Sequence, residues 1–106
     1  MPDINFEAVK KERRERIRWF LLRALDTTRP EGGNLQYLVD VVGTVYQDVT
    51  DREIKRELDY LAERGLIELK IDPMGAWSAK IDRHGVDVVE YAVECEPGIA
   101  RPRLGG

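Results

Sequence analysis

The sequence contains very little of the chemistry from which metal sites and disulfides are built. Its 106 residues include one cysteine, Cys95, and one histidine, His84. A single thiol cannot form an internal disulfide, which fits a reducing cytoplasm, and one thiol with one imidazole cannot complete a structural zinc site. We therefore expect a cytoplasmic protein that holds no metal and no cofactor.

The motifs of common enzymes are missing too. The chain has no G-x-S-x-G elbow, no P-loop and no glycine-rich nucleotide turn. His84 stands at a predicted helix start, where a capping or surface role is expected rather than general-base chemistry. Cys95 lies between Glu94 and Glu96, and these carboxylates should raise the pKa of the thiol and leave it inert. We predict no catalytic activity.

Long apolar runs and an excess of basic charge are also lacking. No stretch approaches the roughly twenty apolar residues that span a bilayer, and the N-terminus lacks a signal-peptide core, so no membrane partner is expected. The chain has 17 basic and 20 acidic side chains, a net charge of −3. Nucleic-acid-binding domains are more often basic, so this total counts against DNA binding unless the charges are segregated. Residues 1–28 hold seven basic and five acidic groups, whereas residues 66–96 hold three and seven.

The chain does contain a very consistent helix signal between residues 49 and 66. Thr50 and Glu53 have capping-box spacing, in which the hydroxyl accepts from the Glu53 amide and the carboxylate reaches back to the Thr50 amide. Gly65 predicts a left-handed stop after which Leu66 folds back onto the helix. The apolar stripe comprises Ile54, Leu58 and Leu61. We predict a helix of about fourteen residues.

Two helices are predicted before this one. The first covers residues 6–26, and the second begins after the cap residue Asn34. The inward face of the second comprises Leu35, Leu38, Val39 and Val42. Residues 27–33 contain a proline and two glycines and are predicted to form a loop. Residues 10–18 hold six basic and two acidic groups, which form either a solvated helix face or a basic arm facing phosphate or a protein partner.

A β-hairpin is predicted directly after the 49–66 helix. Residues 67–71 and 77–81 both alternate between apolar and polar side chains, which indicates two strands with one face on the core. Residues 72–75, Asp-Pro-Met-Gly, have the residue types of a type I turn. We interpret Trp77 as a lid over the helices rather than as a residue that stacks on a ligand.

A last helix and a tail complete the predicted α+β, mostly helical chain. Asp82 caps a helix running from residue 83 to about residue 93. Its inward face is predicted to comprise Val86, Val89 and Val93. The order helix, helix, helix, strand, strand, helix predicts a winged helix-turn-helix: three helices, a two-stranded hairpin wing and a C-terminal helix. We expect a helical extension over 1–12, this domain over 13–95, and over 96–106 a tail that has little to bury and is extended over a surface or disordered.

In such a fold the 50–64 helix would lie in the major groove of DNA. Arg52 and Arg56 lie one turn apart, so both would reach base edges or phosphates, with Thr50 on a phosphate. The predicted DNA-binding residues are Thr50, Arg52, Lys55, Arg56, Lys10, Lys11 and Arg14, the last three as auxiliary phosphate contacts from the first helix. Tyr60 either contacts a phosphate or packs against a neighbouring helix.

Three features count against this interpretation. Residues 51–64 contain four basic and five acidic groups, Asp59 shares the outward face, and the hairpin tip offers no lysine or arginine. A homodimer would double every phosphate contact and match a two-fold operator. The alternative is that the same fold binds a phage protein, because a fold does not fix a function.

Several segments resemble a set of small phage proteins. The segments are REIKRELDYLAERGLIEL, the tryptophan-containing strand, IDRHGVDVVE and EPGIARPR, within residues 13–103. The proteins they resemble are winged-helix proteins encoded in Mu-like prophage clusters, some labelled ArsR-like regulators, and RHGVDVVE followed by PGIARP is the more specific part. The resemblance implies a phage or prophage origin and the winged-helix fold. The cysteine motif with which ArsR sensors bind metal has no match here, so metal sensing is not implied.

We therefore expect a single-domain winged helix-turn-helix protein of phage or prophage type. Its predicted function is to bind double-stranded DNA through the 50–64 helix as a transcriptional regulator, with homodimerisation as one expected arrangement. The alternative function is that of a phage assembly or adaptor module that uses the winged helix for protein contacts.

Overall fold

The computed structural model describes residues 3–104, so residues 1–2 of the predicted extension and residues 105–106 of the predicted tail lie outside it. The elements, in chain order, are α1 (Phe6–Thr27), β1 (Gly33–Asn34), α2 (Leu35–Gly43), α3 (Asp51–Glu63), β2 (Ile67–Ile71), β3 (Trp77–Ile81) and α4 (Arg83–Val89). The predicted α+β class is confirmed. No helix in this part of the chain is long and apolar enough to cross a membrane.

Helix α1 has an exposed first half and a buried second half. It begins after Asn5, whose side chain accepts a hydrogen bond from the Ala8 amide at 3.1 Å. Residues 6–12 are all exposed, and no break separates them from the rest of the helix. Four side chains of the second half are completely buried: Ile17, Leu21, Leu22 and Leu25. The second half of α1 therefore forms the centre of the core, and the first half leaves it as an arm.

Helix α2 packs across this buried half of α1. It begins after Asn34, as predicted, and the Asn34 side chain accepts from the Tyr37 amide at 2.8 Å. Leu38 and Val42 are completely buried, whereas the other two members of the predicted inward face are half-buried. The predicted face of α2 does point toward the core, but only two of its four residues are completely buried.

Both ends of α3 follow from its sequence. The Thr50 hydroxyl accepts from the Glu53 amide at 3.2 Å. Gly65 has φ +72°, and the Leu66 amide donates to a carbonyl of the last helical turn at 3.1 Å, which is the predicted Schellman ending. The second half of the predicted capping box is wrong, because the Glu53 carboxylate binds Arg13 instead of the Thr50 amide.

Strands β2 and β3 form the predicted hairpin. They pair antiparallel with Ile67 opposite Ile81. The turn is closed by a hydrogen bond from the Gly75 amide to the Asp72 carbonyl at 2.9 Å, and the Asp72 carboxylate accepts from the Met74 amide at 2.8 Å. The bounds of both strands and the turn residues agree with the sequence prediction.

The third strand, β1, is absent from the sequence prediction. Its two residues pair with β3, with Gly33 opposite Ala79, so that the sheet order is β1-β3-β2. Gly32 precedes it at φ +84°, where a Cβ would collide with the Ala79 carbonyl oxygen. A two-residue strand shows no periodicity, and its glycines indicate a loop, so sequence patterns do not detect it.

Helix α4 is shorter than predicted. It ends at Val89 rather than near residue 93, because Tyr91 adopts a left-handed conformation with φ +61°. The Tyr91 hydroxyl donates to the Pro102 carbonyl at 2.6 Å, and its ring packs edge-on against Trp19 at 6.4 Å. Val88 is the buried valine, whereas the three predicted inward residues, Val86, Val89 and Val93, are only half-buried. Tertiary contacts of a tyrosine end this helix, so no glycine signal marks its end.

Residues 96–104 of the tail lie on the body of the protein. Ile99 is buried in the core with 5% of its surface exposed. The Arg101 guanidinium donates to the Val88 and Val93 carbonyls at 3.0 and 2.9 Å, and the Ala100 amide donates to the Glu15 carbonyl at 3.1 Å. The tail is therefore extended over a surface, and the expectation that it has little to bury is wrong.

Truncating the buried tail residue tests this arrangement. We expect Ile99→Ala to lower the free energy of unfolding by about 2–4 kcal/mol, because it removes a buried aliphatic side chain from the core. Met74→Ala is the matched control: the side chain is 91% exposed, and the change should cost less than about 0.5 kcal/mol. Urea denaturation measures both, and equal stabilities would contradict a docked tail.

Candidate functional site

The N-terminal turn of α3 brings together three of the predicted site residues. Thr50, Arg52 and Arg56 line one shallow depression on the protein surface, together with Glu53. The Thr50 hydroxyl oxygen caps the helix, which leaves its hydrogen free to donate to a ligand. Arg52 is exposed and has no acidic group within 4 Å among residues 3–104. This end of α3 therefore presents hydrogen-bond donors and positive charge.

Arg56 keeps its charge at the surface although it has a neighbour. Its side chain is 66% exposed, and its Nε atom lies 3.4 Å from an oxygen of Glu57. The same carboxylate also binds a second arginine, Arg18, so it does not neutralise Arg56 alone.

Two of the acidic residues of α3 are paired with arginines of α1. Glu53 forms a two-pronged ion pair with Arg13 of α1, with the Nε and Nη2 atoms 2.8 and 2.9 Å from the two carboxylate oxygens. Asp48 adds a third contact to the Arg13 guanidinium at 3.0 Å. The hydrogen bonds to Glu53 outweigh the effect of burial and raise the pKa of Arg13.

Glu57 makes the second such pair and is completely buried. Arg18 of α1 donates from Nε to the Glu57 carboxylate at 2.8 Å, and its own side chain is only 12% exposed. Another nitrogen of the same guanidinium donates to the Gly98 carbonyl of the tail at 2.9 Å. Arg18 therefore joins α1, α3 and the tail in the interior.

These two pairs change the charge that α3 shows to solvent. Counted along the sequence, residues 51–64 are acidic by one charge. With Glu53 and Glu57 paired to arginines of α1, residues 51–59 retain Asp51 and Asp59 against three basic residues. These three are Arg52 and Arg56, which are exposed, and Lys55, which is half-buried. This part of α3 is therefore basic by one charge, which the sequence total conceals.

Lys55 lies apart from the two arginines. Its Nζ atom is 5.3 Å from the centre of the Trp77 ring, a cation–π distance, and the side chain is half-buried between α3 and β3. Trp77 is half-buried against the core, in agreement with its predicted role as a lid. Lys55 therefore connects α3 to the hairpin, and it is less accessible to a ligand than the two arginines.

The predicted auxiliary residues of α1 are less free than Arg52. Lys10 pairs with Glu7 at 3.6 Å, and Lys11 pairs with Glu15 at 3.7 Å. Arg14 is half-buried and follows Arg13, which contacts α3 directly. Only Arg14 is therefore adjacent to the contact with α3, and the two lysines lie about one helical turn farther along the arm.

Tyr60 packs against its neighbours, as one of its two alternative interpretations predicts. Its ring lies between the guanidinium groups of Arg18 and Arg64, each 3.5 Å from the ring centre. Its hydroxyl donates to Glu96 of the tail at 2.7 Å, and Arg64 binds the same carboxylate at 2.7 Å. Burial, followed by the interaction with Glu96, raises the pKa of Tyr60.

The sequence prediction assigns no structural role to Glu57, although a signal for that role exists. Residues 54, 57, 58 and 61 recur at helical spacing, so position 57 lies within the apolar stripe. A carboxylate at such a position needs a buried cationic partner, since an unpaired buried charge is very unfavourable. The basic segment 10–18 supplies that partner, which sequence spacing alone does not identify.

The single cysteine and the single histidine both lie outside the depression on α3. Cys95 is half-buried in the tail, and burial, more than its acidic neighbour, raises the pKa of the thiol. The predicted direction is confirmed, whereas the predicted cause is only secondary. His84 is exposed in the first turn of α4.

Comparison of the chain with protein-family models, with curated proteins and with solved structures found no match.

Removing the charge of Glu57 tests the buried pair. We expect Glu57→Gln to lower the free energy of unfolding by roughly 3 kcal/mol, because Arg18 would keep an uncompensated charge in the interior. Glu63→Gln is the matched control on the same helix: its side chain is 77% exposed, so the change should cost less than about 0.5 kcal/mol. Chemical denaturation measures both, and a Glu57 variant as stable as the control would show that the pair is not required.

Proposed function

We propose that this chain is a winged helix-turn-helix protein that binds double-stranded DNA with the outward face of α3. The observation that carries the proposal is the inward pairing of Glu53 and Glu57, which leaves Thr50, Arg52 and Arg56 together at the exposed start of the helix. The biological role we propose is transcriptional regulation in a phage or prophage, following the resemblance of its sequence segments.

The arrangement of elements supports the winged-helix assignment. Helices α1, α2 and α3 contact one another, and the β2–β3 hairpin follows α3 directly. The short strand β1 lies between α1 and α2 in the chain and adds a third strand to the hairpin at β3. A winged helix places a hairpin beside its recognition helix in this way, so α3 is the recognition helix of the proposal and β2–β3 is the wing.

The start of α3 suits an anionic ligand for two physical reasons. The unpaired amides at a helix N-terminus carry a partial positive charge, which favours phosphate. Arg52 and Arg56 stand one turn apart on the exposed face, and an arginine fork matches the O6 and N7 atoms of guanine. In this proposal Thr50 donates to a phosphate, the two arginines contact base edges, and Arg14 adds a phosphate contact from α1.

A second candidate function is protein binding by the wing. Met74, at the tip of the hairpin, is 91% exposed, and Ile71 beside it is 52% exposed. No basic side chain lies in the turn itself, whereas wings that enter a DNA groove usually carry one. An apolar tip is better suited to a protein partner, which on this alternative would be a phage assembly protein.

DNA titration followed by fluorescence anisotropy separates the two functions. We expect Arg52→Ala combined with Arg56→Ala to weaken DNA binding by at least about tenfold, since it removes two cationic contacts. The logarithm of the wild-type affinity should fall by about 0.9 per neutralised phosphate for each unit of log salt concentration.

The control for this titration is Arg83→Ala combined with Arg103→Ala. These two residues are also exposed cations, but they lie at the start of α4 and in the tail, outside both the wing and the depression on α3. This control changes the net charge by the same amount and should leave the affinity within about threefold of the wild type. Equal losses in both double variants, or no DNA binding at low salt, would contradict binding through α3. Loss of a protein interaction in Met74→Glu would support the alternative.

A further inference from the structure

The arm of α1 exposes a cluster of large apolar side chains. Ile4, Phe6 and Val9 have 68%, 66% and 55% of their surface exposed. Single exposed apolar residues are common on soluble proteins, whereas here three lie within six positions, Ile4 just before the helix and the other two three residues apart on one helix face. We call these three residues the arm patch.

A second exposed apolar surface lies beside the buried half of α1. Here α1 and α2 border a groove of about 410 Å³. Its apolar lining includes Phe20, Ala24, Tyr37, Val41 and Val45. Tyr37 and Val45 have 37% and 49% of their surface exposed, so the groove is open to a partner. We call it the α1–α2 groove.

We propose that two copies of this chain form a two-fold dimer in which their α1 helices pack antiparallel, so that each arm patch occupies the α1–α2 groove of the other copy. This self-association goes beyond the DNA-binding proposal and does not depend on it.

The spacing along α1 selects the antiparallel arrangement. Phe6, Val9, Arg13 and Phe20 recur at intervals of three, four and seven and therefore share one face of the helix. Phe6 and Phe20 lie about 21 Å apart at a rise of about 1.5 Å per residue, with Arg13 midway. An antiparallel pair centred on Arg13 brings each Phe6 onto the Phe20 of the other copy. A parallel pair would place arm on arm and leave both grooves empty.

The centre of this proposed interface contains Arg13 of each copy. Each Arg13 is bound by Glu53 and Asp48 of its own chain and lies over the Tyr46 ring, with the guanidinium carbon 4.6 Å from the ring centre. Its charge is therefore compensated within the chain, so the two copies do not repel one another at the symmetry axis.

The charges that flank this face of α1 are complementary between antiparallel copies. Among residues 3–104, Glu12 and Arg16 form no ion pair within 4 Å, whereas many neighbouring charges on α1 do. In a pair centred on position 13, Glu12 lies within one turn of Arg16 of the second copy. Symmetry forms each contact twice and closes the assembly at two copies.

Sedimentation velocity without DNA, at protein concentrations up to about 0.1 mM, measures the assembly. We expect a dimer that Phe6→Glu combined with Val9→Glu converts to monomer, with a dissociation constant raised by at least about a hundredfold. These side chains are exposed in the single copy, so the helix content by circular dichroism should not change. Met74→Glu is the control, because it adds a charge to another exposed apolar residue and should leave the dimer intact.

A charge exchange tests the antiparallel register itself. Glu12→Arg alone and Arg16→Glu alone should each weaken the dimer about tenfold, because each places like charges across the interface. The combination of both changes should restore the affinity to within about threefold of the wild type. A wild-type monomer at the highest concentration, a dimer unaffected by the Phe6 and Val9 changes, or a combined variant no tighter than the single variants would overturn the proposal.

Discussion

The buried ion pair between Arg18 and Glu57 is the interaction on which the rest of the structure depends. It joins the long helix α1 to α3 at a completely buried carboxylate, which would be very unfavourable without a cationic partner. The same arginine also binds the tail through the Gly98 carbonyl and stacks on Tyr60. One guanidinium therefore contacts α3 and the C-terminal segment at the same time. Arg13 and Glu53 repeat the arrangement at the exposed start of α3.

This pairing also explains how an acidic chain can present a basic surface. Charge counted along the sequence assigns every residue of α3 equal weight, but packing directs Glu53 and Glu57 toward α1 and leaves the arginines outside. The basic segment of α1, which has two alternative interpretations in the sequence, contains residues of both kinds. Arg13 and Arg18 are structural partners of α3, whereas Arg14, which follows Arg13 in sequence, is the residue proposed to contact a phosphate from α1.

Local signals were sufficient to predict most of the elements. The Thr50 cap, the Gly65 stop and the alternating strands are encoded within a few residues, and the predicted start of α2 and the predicted bounds of α3 and the hairpin agree with the structure. The misses depend on contacts between distant parts of the chain. Tyr91 ends α4 because Trp19 and Pro102 hold it, and the tail is ordered because Ile99 reaches the core. At the candidate site, helical spacing predicts the outward arginines of α3. It does not predict Arg18 as the buried partner of Glu57, because that pair joins two helices that are distant in the sequence.

A double-mutant cycle on Arg18 and Glu57 tests the central claim most directly. The stabilities of Arg18→Met, Glu57→Met and the combined variant are compared by urea denaturation. We predict that the single changes are strongly destabilising and that the combined variant is more stable than either, with a coupling free energy of about 2–3 kcal/mol, because the apolar pair leaves no buried charge unpaired. Single effects that add to within about 0.5 kcal/mol would show that the two residues do not act as a pair and would contradict this account.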